Sequence, residues 1–164
     1  MEIFQVALIL ATLLCSLVAG FVFAFAVVVM PGISNLKSGE FIRAFQKIDG
    51  VIQNNQPVFT LVWLGSIIAL VIAATLGVAH LDAIGVSLLV VSTIAYLLGV
   101  QLPTFTINVP LNNKLQSLNV DAMDASAQQS AREAFEGRWN RWNVIRTVIS
   151  CLVTLLLIVL ILRH

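Results

Sequence analysis

Two runs of polar residues stand at helical spacing in an otherwise apolar chain. Thr104, Asn108 and Asn112 recur four residues apart within Pro103-Thr-Phe-Thr-Ile-Asn-Val-Pro-Leu-Asn-Asn-Lys114, and Trp139, Asn143, Arg146, Thr147, Ser150 and Thr154 form a second stripe further on. Each run shares one face if its helix is unbroken. Facing one another, the stripes would line a polar cavity with amides, hydroxyls and one guanidinium. Arg146 stands out among them because it stays charged and presents donors in a planar fork that fits a carboxylate, a phosphate or an enolate oxygen. The plainer reading has Arg146 snorkelling to lipid headgroups or capping a carbonyl, with Trp139 and Trp142 as interfacial anchors. Pro103 and Pro110 bear on the first stripe. They either end the helix and shape a loop, or free carbonyls that line a wet cavity.

Other reactive residues are sparse. Glu133, Glu136, Asp121 and Asp124, the nearest titratable groups, lie in a connecting segment, and no histidine is close, so a proton acceptor is missing from the stripes. His80, Asp82 and His164 share the opposite end, but nothing in their spacing enforces a metal site, and none is expected. Cys15 and Cys151 fall in apolar runs and read as packing residues. No Ser-His-Asp set, glycine-rich phosphate loop or zinc pattern is present.

The elements that must position these residues follow from composition. The chain is 59% hydrophobic and 10% charged, against about 25% charged in a soluble domain. Its apolar runs are long enough to cross a bilayer four times, at about 3–30, 58–79, 83–102 and 143–162. The expected fold is all-α, a single membrane domain over residues 1–164 built as a four-helix bundle. Pro31-Gly32 closes the first span, and Glu2 in place of a basic flank argues against a cleaved signal. Ser38 to Asn55 reads as an amphipathic helix on the membrane surface, with Phe41, Ile42, Phe45, Ile48 and Ile52 on its apolar stripe and Arg43, Gln46, Lys47 and Asp49 elsewhere. His80-Leu81-Asp82 makes spans two and three a hairpin. In the longer third connection, Ser130-Ala-Arg-Glu133 has the form of a capping box that opens a helix.

Basic residues set the expected orientation. Lys37, Arg43, Lys47, Lys114, Arg132, Arg138, Arg141 and Arg146 lie in or beside the first and third connections, whereas Arg163 alone marks the other side. Both termini should face away from the cytoplasm. Small residues four apart, Thr12, Ser16, Gly20 and Ala24 in span one and Gly65, Ala69, Ala73 and Gly77 in span two, suit close helix packing within one bundle or a homo-oligomer. The net charge of +1 gives no reason to expect a nucleic acid.

The segment Thr106-Ile-Asn-Val-Pro-Leu-Asn-Asn-Lys-Leu115, followed by Phe135-Glu-Gly-Arg-Trp-Asn-Arg-Trp-Asn-Val-Ile-Arg-Thr147, resembles the anthrone oxygenase-like family of small four-helix membrane proteins. The resemblance implies oxidation of a lipophilic aromatic substrate by molecular oxygen, without a flavin or haem, in a cavity between spans three and four. Asn108 and Asn112 would correspond to the family's asparagine-proline-asparagine element, and Trp139 or Trp142, Asn143 and Arg146 to its tryptophan-arginine element. On that reading Arg146, Asn108 and Asn143 are catalytic, stabilising an enolate, and Thr104, Asn112, Trp139 and Trp142 contact the substrate. The expected partners are the lipid bilayer and a small aromatic ligand. Two other classes compete: a non-enzymatic scaffold, carrier or partner subunit, and a thiol-conjugating membrane transferase using Arg138, Arg141 and Arg146 for an anion.

Overall fold

The computed structural model describes residues 2–163. The chain is an all-α, multi-pass membrane bundle. Its helices are α1 (Ile3–Ser34), α2 (Ser38–Gln53), α3 (Pro57–Gly77), α4 (Ala83–Gln116) and α5 (Ala125–Arg163). A short 3-10 turn, Val120–Ala122, precedes α5. All but α2 are long and apolar enough to span a membrane. Each span neighbours the next in sequence, and α5 closes the ring on α1.

Local chemistry explains where the helices start. Gln56 accepts a bond from the Phe59 amide at 2.7 Å with Pro57 in the first turn, and Asp82 caps α4 through the Gly85 amide at 2.7 Å. Asn55, in the left-handed region at φ 61°, turns the chain from α2 into α3. The expected capping box at Ser130 does not start a helix. Asp124 accepts from the Ala127 amide at 2.7 Å, so α5 is already under way when it reaches Ser130, and it runs unbroken through Arg163.

The helices also overrun the prolines expected to stop them. α1 continues past Pro31 to Ser34, and α4 passes Pro103 and Pro110 to reach Gln116. In each case a π-turn immediately precedes the ring. The amides of Met30, Leu102 and Val109 reach back five residues to the carbonyls of Phe25, Leu97 and Thr104. Proline lacks a donor and crowds the carbonyl four residues back; one looped-out residue widens the turn and accommodates the ring without ending the helix. Hydroxyls of Thr104 and Thr106 add bonds to the Val100 and Leu102 carbonyls, both at 2.7 Å.

Packing separates the bundle into two ends. Toward the α3–α4 hairpin, Phe4, Leu8, Leu70, Leu89, Leu157 and Leu160 form a closed core. Ala69, Ala73 and Gly77 of α3 face inward as expected. On α1 the inner small stripe is Ala7, Ala11, Cys15 and Ala19, whereas Gly20 is exposed. Of the expected stripe, Thr12 is buried and Ser16 and Ala24 are half-buried, so it is Gly20 that turns outward. His80 and Asp82 serve this end structurally. His80 stacks on Phe4 and lies 2.8 Å from the Leu76 carbonyl, while Asp82 also pairs with Arg163 at 3.3 Å. Among the described residues no cluster suits a metal; His164 lies outside them.

At the other end, α2 packs on protein along its apolar stripe. Phe41, Ile42 and Phe45 are buried against Leu115, Val120, Phe135 and Trp139. The protruding turns of α4 and α5 extend beyond the expected spans and supply that surface. Gln46 donates to the Leu115 and Leu118 carbonyls at 2.9 and 3.0 Å. Arg132 donates to the carbonyls of Ser34, the last residue of α1, and of Leu36 just beyond it, pairs with Glu136 and lies over the Phe41 ring.

Candidate functional site

A cavity of about 200 Å³ opens at the α2 end. Its walls come from all five helices. Phe21, Phe25, Phe59 and Trp63 supply aromatic surface from α1 and α3, and Thr104, Asn108, Asn112, Trp139 and Arg146 bring the two polar stripes together. Phe45, Asp49, Ile52 and Gln53 of α2 complete it. The site is therefore larger in its membership than a cleft between spans three and four. Phe105 and Val109 are exposed at its rim, so the mouth lies on the side of the bundle. The volume falls below the roughly 300–1,000 Å³ of sites for drug-sized ligands.

Arg146 neither snorkels nor meets a carboxylate. It is 4% exposed, and its Nη1 and Nη2 donate to Thr104 Oγ1 and Asn143 Oδ1, both at 2.9 Å. Its guanidinium lies 5.9 Å from the Trp139 ring centroid. The Nε donor has no partner, and Asn108 Oδ1 is likewise a buried acceptor without one. Buried polar atoms are nearly always paired, which sets this orphan donor and orphan acceptor, both on residues that line the cavity, apart from the satisfied polar groups around them. Asn143 has a different task from the one expected of it. Its Nδ2 donates to the Val22 carbonyl at 3.0 Å and its Oδ1 is taken by Arg146. It holds the guanidinium in place and lies outside the cavity wall.

The carboxylate that the stripes lack is Asp49. It is 3% exposed and lines the cavity. Asn112 Nδ2 donates to its Oδ1 at 2.8 Å, and Gln53 and Gln116 donate to Oδ2 at 2.7 and 3.1 Å. Trp139 Nε1 donates to Asn112 Oδ1 at 2.7 Å, joining α5, α4 and α2 in one chain of bonds. Asp49 belongs with the buried stripe of α2 because Phe41, Phe45 and Asp49 stand four residues apart, a spacing that was there to be read. Trp63, whose Nε1 donates to Gln101 Oε1 at 2.9 Å, was missed too. A tryptophan in an apolar span carries no positional signal of its own.

Other candidates fall away from the cavity. Trp142 is half-buried and absent from its walls, 60° around the helix from Trp139. Thr147, Ser150 and Thr154 return their hydroxyls to carbonyls of α5. Asp121 pairs with Arg43, Asp124 caps α5, Glu133 accepts from Gln129 and Glu136 pairs with Arg132. Arg138 and Arg141 are exposed and line no part of the cavity, so they do not join Arg146 there. The family model described as anthrone oxygenase matches residues 52–156. No curated protein and no solved structure matches the chain.

Proposed function

The chain belongs to the anthrone oxygenase family, and from that premise we propose that its cavity binds a flat, lipophilic aromatic ketone and oxidises it with molecular oxygen. The observation that carries the reading is Arg146, a buried guanidinium with no carboxylate partner and one unused donor on an aromatic-walled cavity. The methylene carbon of an anthrone loses a proton to give an enolate. Arg146 Nε–H would bond the enolate oxygen, and Asn108 Oδ1 would accept a bond from a neighbouring hydroxyl. Donors held ready where charge develops are the largest single source of rate in many enzymes. Electron transfer from the enolate to oxygen and recombination at the same carbon give a hydroperoxide, which loses water. One oxygen atom stays on the carbon as the quinone carbonyl, and the other leaves in the water with the two methylene hydrogens.

Trp139 and Asn112 would bound the ring plane, and Thr104 and Asn143 would steer the guanidinium. The side mouth at Phe105 and Val109 suits entry from the bilayer, where both such a ketone and oxygen dissolve. The basic residues gathered at the α2 end support a cytoplasmic position for the cavity and a non-cytoplasmic one for both termini. Thiol labelling of Ser126→Cys from either side of a vesicle checks that orientation.

Oxygen uptake and quinone formation by the protein in nanodiscs, with an anthrone that bears a hydroxyl beside its ketone and correction for autoxidation, test the activity. Arg146→Ala should cost about 10²–10³ in rate, the loss typical of one such donor, and Asn108→Ala should weaken it as well. Wild-type rates no faster than autoxidation would defeat the oxygenase reading and leave a carrier that binds the same ligand class.

A further inference from the structure

We propose that Asp49 is the proton acceptor of this site, delivered by the amphipathic helix α2. The inference rests on the oxygenase reading above and adds the group which that reading lacks. The family match begins at residue 52 and so says nothing of Asp49.

The hydrogen bonds around Asp49 cast it as an acceptor. Trp139 Nε1 can only donate, so Asn112 must turn its oxygen to the indole and its N–H to Asp49 Oδ1. Gln116 Nε2 also bonds the Gln46 carbonyl, which can only accept, so it too presents N–H to Asp49. Every side chain bonded to Asp49 donates. A carboxylate offers about four lone-pair sites. Oδ2 receives two donors and Oδ1 one, leaving Oδ1 with capacity for a proton.

Charge supports the same assignment. Asp49 takes part in no ion pair among the described residues. The cation on its cavity is Arg146, held elsewhere by Thr104 and Asn143. Transfer of the methylene proton to Asp49 Oδ1 breaks the C–H bond and sends its electron pair to the ketone oxygen at Arg146. Negative charge thus passes from Asp49 to the enolate, and the cavity's net charge is unchanged. Burying that charge costs little extra, because it was already buried.

The test separates proton abstraction from oxidation. An anthrone deuterated at its methylene carbon is incubated without oxygen with the protein in nanodiscs, and loss of deuterium to water is followed. Wild type should accelerate the loss, and Asp49→Asn should slow it about 10²- to 10⁴-fold, the usual contribution of a positioned base. It should still quench its tryptophan fluorescence on binding the ketone. Added formate should restore part of the rate to Asp49→Ala. Undiminished deuterium loss in Asp49→Asn, beside normal quinone formation in wild type, would overturn the base role alone. Loss in both variants without formate rescue would reassign Asp49 as a strut between α2 and α4 and overturn it too. Wild type that neither exchanges deuterium nor consumes oxygen would sink the oxygenase reading, and the base role with it.

Discussion

The two ends of the bundle are built on opposite principles. At the hairpin end the helices are uninterrupted, and the small inner residues of α1 and α3 let backbones approach, with Gly77 against Leu89 and Phe4. At the α2 end, all three π-turns occur, aromatic rings line an opening, and Arg146 Nε and Asn108 Oδ1 are left unpaired. In lipid, helices hold together by van der Waals contact and interhelical hydrogen bonds. The closed end maximises the first; the open end gives up contact to present polar groups. Close packing and the polar cavity thus occupy different halves of the same four spans.

Substitutions that treat the halves differently sharpen or break this division. The largest effect should come from Arg146→Met, which removes the guanidinium from the cavity: oxidation falls by about 10²–10³, while stability in detergent changes by no more than about 1–3 kcal/mol, because losing a buried charge without a carboxylate offsets the acceptors orphaned at Thr104 and Asn143. A large fall in unfolding temperature would instead make Arg146 a strut. Next is Pro103→Ala. Restoring an amide there lets the preceding π-turn close, which turns Thr104 and Asn108 out of register, and a displacement near 1 Å costs about 10² in rate; helicity by circular dichroism should not drop.

Gly77→Val reverses the pattern. A Cβ at this position lies 2.6 Å from Leu89 Cδ2 and 3.2 Å from Phe4 Cε2, so overpacking should cost about 1–3 kcal/mol of stability. Turnover per folded molecule, measured below the unfolding transition, should be unchanged. Arg163→Ala, which removes a partly exposed pair with Asp82 at 3.3 Å, should cost at most about 1 kcal/mol. A larger loss would show that the hairpin end depends on ion pairing as well as packing.

Much of this was legible from residue order. Long apolar runs predict the spans, and the four-residue spacing of Thr104, Asn108 and Asn112, with Trp139 and Arg146, marks cavity walls that the structure does bring together. Rules of local order failed where a longer-range structure overrode them. Prolines stop an α-helix but not a helix with a π-turn before the ring, so α1 and α4 run on. Ser130 has the neighbours of a cap, yet Asp124 starts the helix earlier. Asp49 was set apart from the apolar stripe of α2 with the other polar residues, although it is buried.

Sequence by itself determined that this chain folds as four apolar helices, since hydrocarbon leaves a backbone few other ways to satisfy its hydrogen bonds. It also determined which polar residues those helices would have to shelter. Only the tertiary structure decided that α2 folds back onto the ends of α4 and α5, setting Asp49 on the same cavity as Arg146. Those two residues stand 97 positions apart, 146 less 49. No helical period relates them, and their meeting depends on where the packed ends of three helices leave room.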